Sequence, residues 1–448
     1  MNEGDKRFFL QGSLFKTIFI FSLPLIFTNL LQVLFSLTDV AVLGRFASGE
    51  SMGSVGSVAI LVFMCTGFLT GIGSGVNSIA AFYIGADNKK SVSDTVHTSA
   101  LLCLISGILV CVFGILFSRP VLQLMGTKDV LIDGSVTYFR IYMLGMPALA
   151  FYNFGNGILS AEGDTKSPLK FLSLSGFVNV VLDLVFVIYF KMDIAGVAIA
   201  SITALYISAF LIFIKLYKRN DALAFRFKNL QLNKFILYKL IKIGIPAGLQ
   251  NVIFAFANIF IQVGINSFDA AMVIANSAAA NSDTLVYNTM SAFYVAGSTA
   301  IAQNYGAQNK KGILKSCFIS VAYAFLIGLF LGILLLLFGK YFLAIFTSEA
   351  HIIELGMERL TIMAFSYCIS AFMDAALASS RGLGETIIPT IIVVIGSCIM
   401  RILWIYTVFG FFGTVLSLYL VFPVTWIITA TAEFIYFAKL YRKIAATL

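Results

Sequence analysis

Charge is what this sequence has least of. Only 11% of its 448 residues are Asp, Glu, Lys or Arg, less than half of what a soluble domain carries to keep its surface in water. With 60% of the residues hydrophobic, a water-exposed globule is excluded and the chain belongs in a bilayer. Histidine is limited to His97 and His351, both near the ends of apolar runs. The six cysteines (Cys65, Cys103, Cys111, Cys317, Cys368 and Cys398) lie in apolar stretches without Cys-x-x-Cys spacing, so they read as packing residues, neither disulfide framework nor metal ligands. Neither His-Glu-x-x-His nor Asp-Asp-x-x-Asp occurs, and no paired nucleophile or metal motif suggests an enzyme. No cofactor is expected.

What is present is said twice. Pro24 recurs as Pro246, and Tyr83-Ile-Gly-Ala-Asp-Asn-Lys-Lys90 recurs as Asn304-Tyr-Gly-Ala-Gln-Asn-Lys-Lys311. Gly163-Asp-Thr-Lys-Ser-Pro168 recurs as Gly384-Glu-Thr-Ile-Ile-Pro389. A register of 221 or 222 positions held this long marks a duplicated bundle, and membrane proteins built this way commonly place a moving binding site between their halves.

Apolar runs long enough to span, roughly 20 residues each, recur at about 17–43, 54–84, 93–117, 135–158, 168–190, 195–217, 239–267, 273–303, 312–338, 354–379, 387–409 and 412–438. The expected fold class is therefore an all-α membrane protein with twelve transmembrane helices in two six-helix bundles. The expected domains are residues 1–217, a polar cytoplasmic linker at 218–238 that has room for a short surface helix, and residues 239–448. Counting Lys and Arg with the N-terminus inside places 22 in inner segments, Lys6 among them, and five in outer ones, leaving Arg140, Arg359 and Arg401 in or near the membrane. The positive-inside rule then puts both termini in the cytoplasm. The net charge of +9 is mostly this asymmetry and calls for no nucleic acid. An even number of spans per copy makes the two halves parallel repeats.

A charge buried in hydrocarbon is unfavourable by roughly 2.5–3.5 kcal/mol and persists where it lines a cavity or finds a partner. Asp39, Asp183, Asp283 and Asp374 stand out. Asp39 lies six residues before Arg45, roughly 9 Å deeper along a helix, and Asp183 lies at similar depth before Lys191. Asn179 is one turn from Asp183 on the same helical face, and Thr203 is at comparable depth on the next span. These four oxygen-bearing residues suit Na⁺, or a proton shared by the two carboxylates. The competing readings are a structural brace near Pro24 for Asp39 and an ion pair with Arg401 for Asp183. In the second copy the polar set differs: Asp374 stands where the first copy has Asn153, and Asp283 where it has Val62. Asp374, Asp283, Asn153, Tyr287 and Arg401 are candidates for a substrate path, within a wider aromatic lining of Phe35, Tyr138, Phe151, Tyr152, Tyr294 and Tyr367 suited to lipophilic cations. Pro24, which lacks an N–H and so weakens its helix, is a candidate hinge.

Asp39-Val-Ala-Val-Leu-Gly-Arg45, the turns at Gly85-Ala86 and Gln303-Asn-Tyr-Gly-Ala307, Gly163-Asp-Thr-Lys-Ser-Pro168, Arg381-Gly-Leu-Gly-Glu-Thr386 with Pro389, and Arg401-Ile-Leu-Trp-Ile405 together resemble the multidrug and toxic compound extrusion (MATE) family over nearly the whole chain. They look most like bacterial, Clostridia-type members with a DinF-like first lobe. The resemblance implies secondary active export of cationic lipophilic compounds by antiport with Na⁺ or H⁺ in the cell membrane. It places Asp39, Asn179, Asp183 and Thr203 in a cation site with Tyr138 and Asn156 nearby, and matches Asp374 to a second-lobe acid. The acid such proteins carry on helix 7 has no counterpart before Asp269, and Asp283 is the substitute on offer. A lipid-linked oligosaccharide flippase of the same superfamily is the alternative, but anionic headgroups call for more membrane-embedded Arg or Lys than Arg140, Arg359 and Arg401. The Asp-Arg loop of a major-facilitator transporter is missing, Ala86-Asp-Asn-Lys-Lys90 standing in its place. Small-molecule cations and the bilayer are the expected partners, and a twelve-helix unit is expected to work as a monomer.

Overall fold

The computed structural model describes residues 7–47 and 49–448, so Lys6 of the charge count lies outside the described residues. Thirteen long helices are present among the described residues: α1 Leu14–Phe46, α2 Gly49–Gly85, α3 Lys89–Leu124, α4 Asp129–Met143, α5 Met146–Glu162, α6 Lys166–Tyr189, α7 Asp193–Tyr217, α8 Lys234–Ile265, α9 Ala270–Gly306, α10 Lys310–Ala344, α11 Ala350–Gly382, α12 Ile387–Phe412 and α13 Val415–Thr447. All-helical architecture is what a bilayer demands, because each backbone N–H and C=O must be satisfied within its own segment. Ten of these helices are individually long and apolar enough to cross a membrane. The polar α9 and the α4–α5 pair, counted as one span each, complete the twelve expected spans.

The single span expected at 135–158 is interrupted by a turn between α4 and α5. The N–H groups of Leu144 and Gly145 bond back to Ile141 and Tyr142 in a tight turn, and the new helix starts at Met146-Pro147. Proline suits the first turn of a helix, where its missing N–H would be unpaired anyway. A second difference is that α6 and α12 carry π-helical turns, at Val185–Tyr189 in α6 and at Val394–Ile399 and Ile405–Phe409 in α12.

The duplication extends to backbone angles. Asp87 and Gln308, which correspond in the repeat, both have φ in the left-handed region, 53° and 57°. The next residues, Asn88 and Asn309, cap α3 and α10 by accepting the N–H of Ser91 and Gly312, each at 3.0 Å. Gly163 and Gly384 end α5 and α11 at φ 104° and 84°, where a side chain would be strained.

Two compact units emerge. One contains Phe27–Val252, the other Phe8–Ile26 together with Ile253–Leu448. The chain passes from the second unit to the first inside α1, three residues after Pro24, and α1 runs through that proline without a break. In the first unit, α2 presents Gly67, Gly71 and Gly75 at four-residue spacing to Gly244, Gly248 and Asn251 of α8. A Cβ on Gly71 would lie 2.2 Å from the Gly248 nitrogen and one on Gly75 2.9 Å from Gly244, so the backbones touch as in other small-residue membrane crossings. Asn251 Nδ2 closes the contact on the Gly67 carbonyl at 2.8 Å. In the second unit the start of α1 makes the corresponding crossing, with Ile18, Phe21 and Leu25 packed on Ala292, Ala296 and Ala300 of α9.

The linker is docked on the first unit. Arg219 bonds to Glu162 and Asp221; burial opposes its charge, but these carboxylates outweigh it and hold its pKa above the ordinary arginine value. Asp94 accepts from Gln231 and Asn233, and His97 Nε2 accepts the Arg226 N–H at 3.1 Å. The short surface helix expected there is a single 3₁₀ turn, Phe227–Asn229.

Candidate functional site

The polar residues of the first unit converge where α1 meets α6 and α7. Phe35 and Asp39 are one turn apart on α1, and Gly176, Asn179 and Asp183 follow one face of α6. Gly176 sets the register: a Cβ there would come within 1.9 Å of the Phe35 ring, so the bare backbone lets that ring lie flat and brings the next turns together. Asp39, Asp183 and Asn179 are then close enough to act on one another electrostatically, although Asn179 Nδ2 bonds to neither acid among the described residues. Ser201 Oγ of α7 donates to Asp39 Oδ2 at 3.0 Å. Asp183 and Asn179 are buried. Among the described residues no donor reaches Asp39 Oδ1 or either oxygen of Asp183. Two acids facing each other with three donor-free oxygens form a site that needs a cation, a shared proton or a small metal ion.

Tyr138 is buried on α4, stacked on Tyr142 at 5.8 Å, and within electrostatic range of both carboxylates. Thr203 is not joined to them by any hydrogen bond among the described residues; its hydroxyl donates to Ile199 O within α7 at 2.7 Å. The hydroxyl that completes the site is Ser201, two positions away and so on another side of the helix. Asn156 accepts from Ser160 at 3.3 Å on α5, and Asn153 packs its Cβ against Gly73 of α2.

The second unit holds two polar clusters. Asp283 on α9 is ion-paired with Arg359 of α11 and accepts from Tyr367, whose hydroxyl also meets Ser282 at 3.2 Å. Asp283 thus neutralises an arginine that is only 3% exposed. Asp374, also on α11, is buried and in the field of Arg401 and Arg381. Arg401 Nη1 donates to Asn258 at 3.1 Å and its guanidinium stacks over Phe422 and Phe254, so it finds its neighbours within its own unit. Tyr287 and Tyr294 of α9 border Asp374, and Tyr287 keeps 53% of its surface accessible. The residues that reading the sequence missed are Ser201, Arg381 as a neighbour of Asp374, and Glu433 of α13, fully buried beside both. A lone acid in an apolar run was the available signal for Glu433. Among the described residues no group of three or more His, Cys, Asp or Glu is arranged as a metal site.

The MatE sequence model matches residues 24–185 and again 246–407. The chain belongs to the MatE family. The two matches are the two copies of the repeat and cover most of its length. Members of the MatE family are membrane transport proteins, and the chain is not an enzyme. "Probable multidrug resistance protein YoeA" of Bacillus subtilis (strain 168) is 25% identical across 85% of this chain and 84% of its own length. "Multidrug export protein MepA" of Staphylococcus aureus (strain MSSA476) is 22% identical across 93% of each. An outward-facing conformation of a multidrug resistance MATE family transporter of the MOP superfamily matches at TM-score 0.91 and 22% identity, over 99% of both chains, a likeness of fold.

Proposed function

We propose that this MatE protein exports small lipophilic cations across the plasma membrane in exchange for inward H⁺ or Na⁺, working as a monomer with both termini in the cytoplasm. The carrying observation is that Asp39 and the buried Asp183 act on one another while Asp39 Oδ1 and both oxygens of Asp183 have no hydrogen-bond partner among the described residues. Two like charges at such a site repel, so binding a cation stabilises the closed contact of α1 with α6 and releasing it favours separation. That difference biases one arrangement of α1 over another, and Pro24, which removes one rung of the α1 ladder, lies close to where the helix changes unit. Alternating access follows if cation and drug favour opposite arrangements.

The relatives named for multidrug resistance and export support the cargo class. The flippase alternative is disfavoured because the membrane arginines are already engaged: Arg140 Nε with Ser118, Arg359 with Asp283, Arg401 with Asn258. The test is ethidium efflux from proteoliposomes under separately imposed pH and Na⁺ gradients. Efflux driven by either gradient alone supports the reading and names the ion. No gradient-dependent efflux, with polyprenyl-linked sugar translocated instead, overturns it.

A further inference from the structure

Along α13, Thr425, Thr429 and Glu433 follow at four-residue spacing and each is fully buried, so they form a polar stripe on one face. The hydroxyls are engaged. Thr425 donates to Val421 O at 2.6 Å, Thr429 to Thr425 O at 2.7 Å, and Thr429 also meets Ser397 of α12 at 3.0 Å. Glu433 ends the stripe, and neither of its oxygens has a hydrogen-bond partner among the described residues.

The charged groups acting on it come from α11: Arg381 and Asp374. These two are seven residues apart and share a face, about 10 Å along the axis, with Ala378 between them. Around them, Arg401 of α12 acts on Asp374 and Cys398 on Arg401. Tyr287 and Tyr294 of α9 border Asp374, while Tyr436 of α13 is influenced by both Glu433 and Glu385. An ionised carboxylate without a donor in a dry site is among the least stable arrangements in a membrane protein, and the neighbouring guanidinium opposes a metal cation. A proton is the occupant this chemistry accepts.

We propose that Glu433 binds a proton in this unit, exchanging it with Asp374 and releasing it towards the chain end that bears Lys439, Arg442 and Lys443. Glu433 lies six residues before Lys439, about 9 Å along the helix. Its O–H bond breaks, the proton passes to water at that end, and the electron pair stays on the carboxylate facing Arg381. The Asp374 O–H bond then breaks, its proton forms a new O–H bond on Glu433, and Asp374 takes another proton from the opposite side. No other bond changes and no oxidant is required. The inference rests on the proton alternative of the proposed antiport.

Two measurements test it. Infrared difference spectra of the purified full-length protein between acidic and alkaline buffer, without substrate, will lose one protonated-carboxyl band in E433Q and show it displaced in E433D. In proteoliposomes under a pH gradient, E433Q will slow ethidium efflux at least tenfold, while E433D retains most of the rate with a shifted pH profile. Identical spectra of wild type and E433Q, or an unchanged gradient-driven rate in a folded E433Q, overturns the proposal. If wild type shows no gradient-driven efflux, the antiport reading fails and the infrared comparison still decides whether Glu433 holds a proton.

Discussion

The ring of Phe35 occupies the space a side chain at Gly176 would need, with the nearest ring carbon 1.9 Å from where a Cβ would sit. One turn further along α1 and two along α6, the same contact brings Asp39 to Asp183. A residue without chemistry of its own thereby sets the geometry of the two that have it. Gly176→Ala is expected to push α1 from α6 and reduce ion-driven dye efflux at least tenfold, although both acids remain. Normal efflux in that variant would show that the carboxylates do not need this packing.

Asp39→Asn and Asp183→Asn are each expected to abolish ion-driven efflux while insertion and elution from a sizing column stay normal. If the pair holds one cation between them, as proposed, the double variant should be no worse than either single one, as for residues that act as a unit. Efflux retained in both single variants would sink the assignment; additive partial losses would mean two independent sites.

Ser201→Ala and Thr203→Ala separate the two hydroxyls. Removing Ser201 Oγ takes away the only donor bonded to Asp39 Oδ2 among the described residues, and a tenfold or greater change in the ion concentration for half-maximal efflux is expected. Removing Thr203 Oγ1 takes away an in-helix bond to Ile199 and should leave that concentration within twofold. The reverse pattern would put Thr203 in the site.

For the Asp283–Arg359 pair the expected effects are on stability and are unequal. The arginine side chain is 4% exposed and the aspartate 32%, so Asp283→Asn strands the deeper charge. It should destabilise the detergent-solubilised protein by about 3 kcal/mol, whereas Arg359→Met leaves an acid that reaches water and keeps Tyr367 as donor. Thermal unfolding followed by tryptophan fluorescence checks the order; equal shifts for the two variants would contradict it.

Much of the frame was legible from the chain. The repeat gave the turns at Asn88 and Asn309, and the apolar runs gave the helices. Asp39, Asn179 and Asp183 were legible as a set because burial of charge is unfavourable and their depths agree. That the hydroxyl bonded to Asp39 is Ser201 and not Thr203 was not legible, because depth along a helix says nothing of which side a residue faces. The pairing of Asp283 with Arg359 was not legible, because the two lie 76 positions apart.

By itself the sequence determined a membrane-embedded, twice-repeated helical protein with acids where hydrocarbon should be, since composition, period and register are local or one-dimensional properties. Only the tertiary structure decided which helix backbones touch. The glycines of α2 against Gly244 and Gly248, the ring of Phe35 on Gly176, and the stripe ending at Glu433 depend on contacts between residues distant in the chain. Such contacts are set by side-chain volume and rotation about the helix axis, which a linear pattern does not encode.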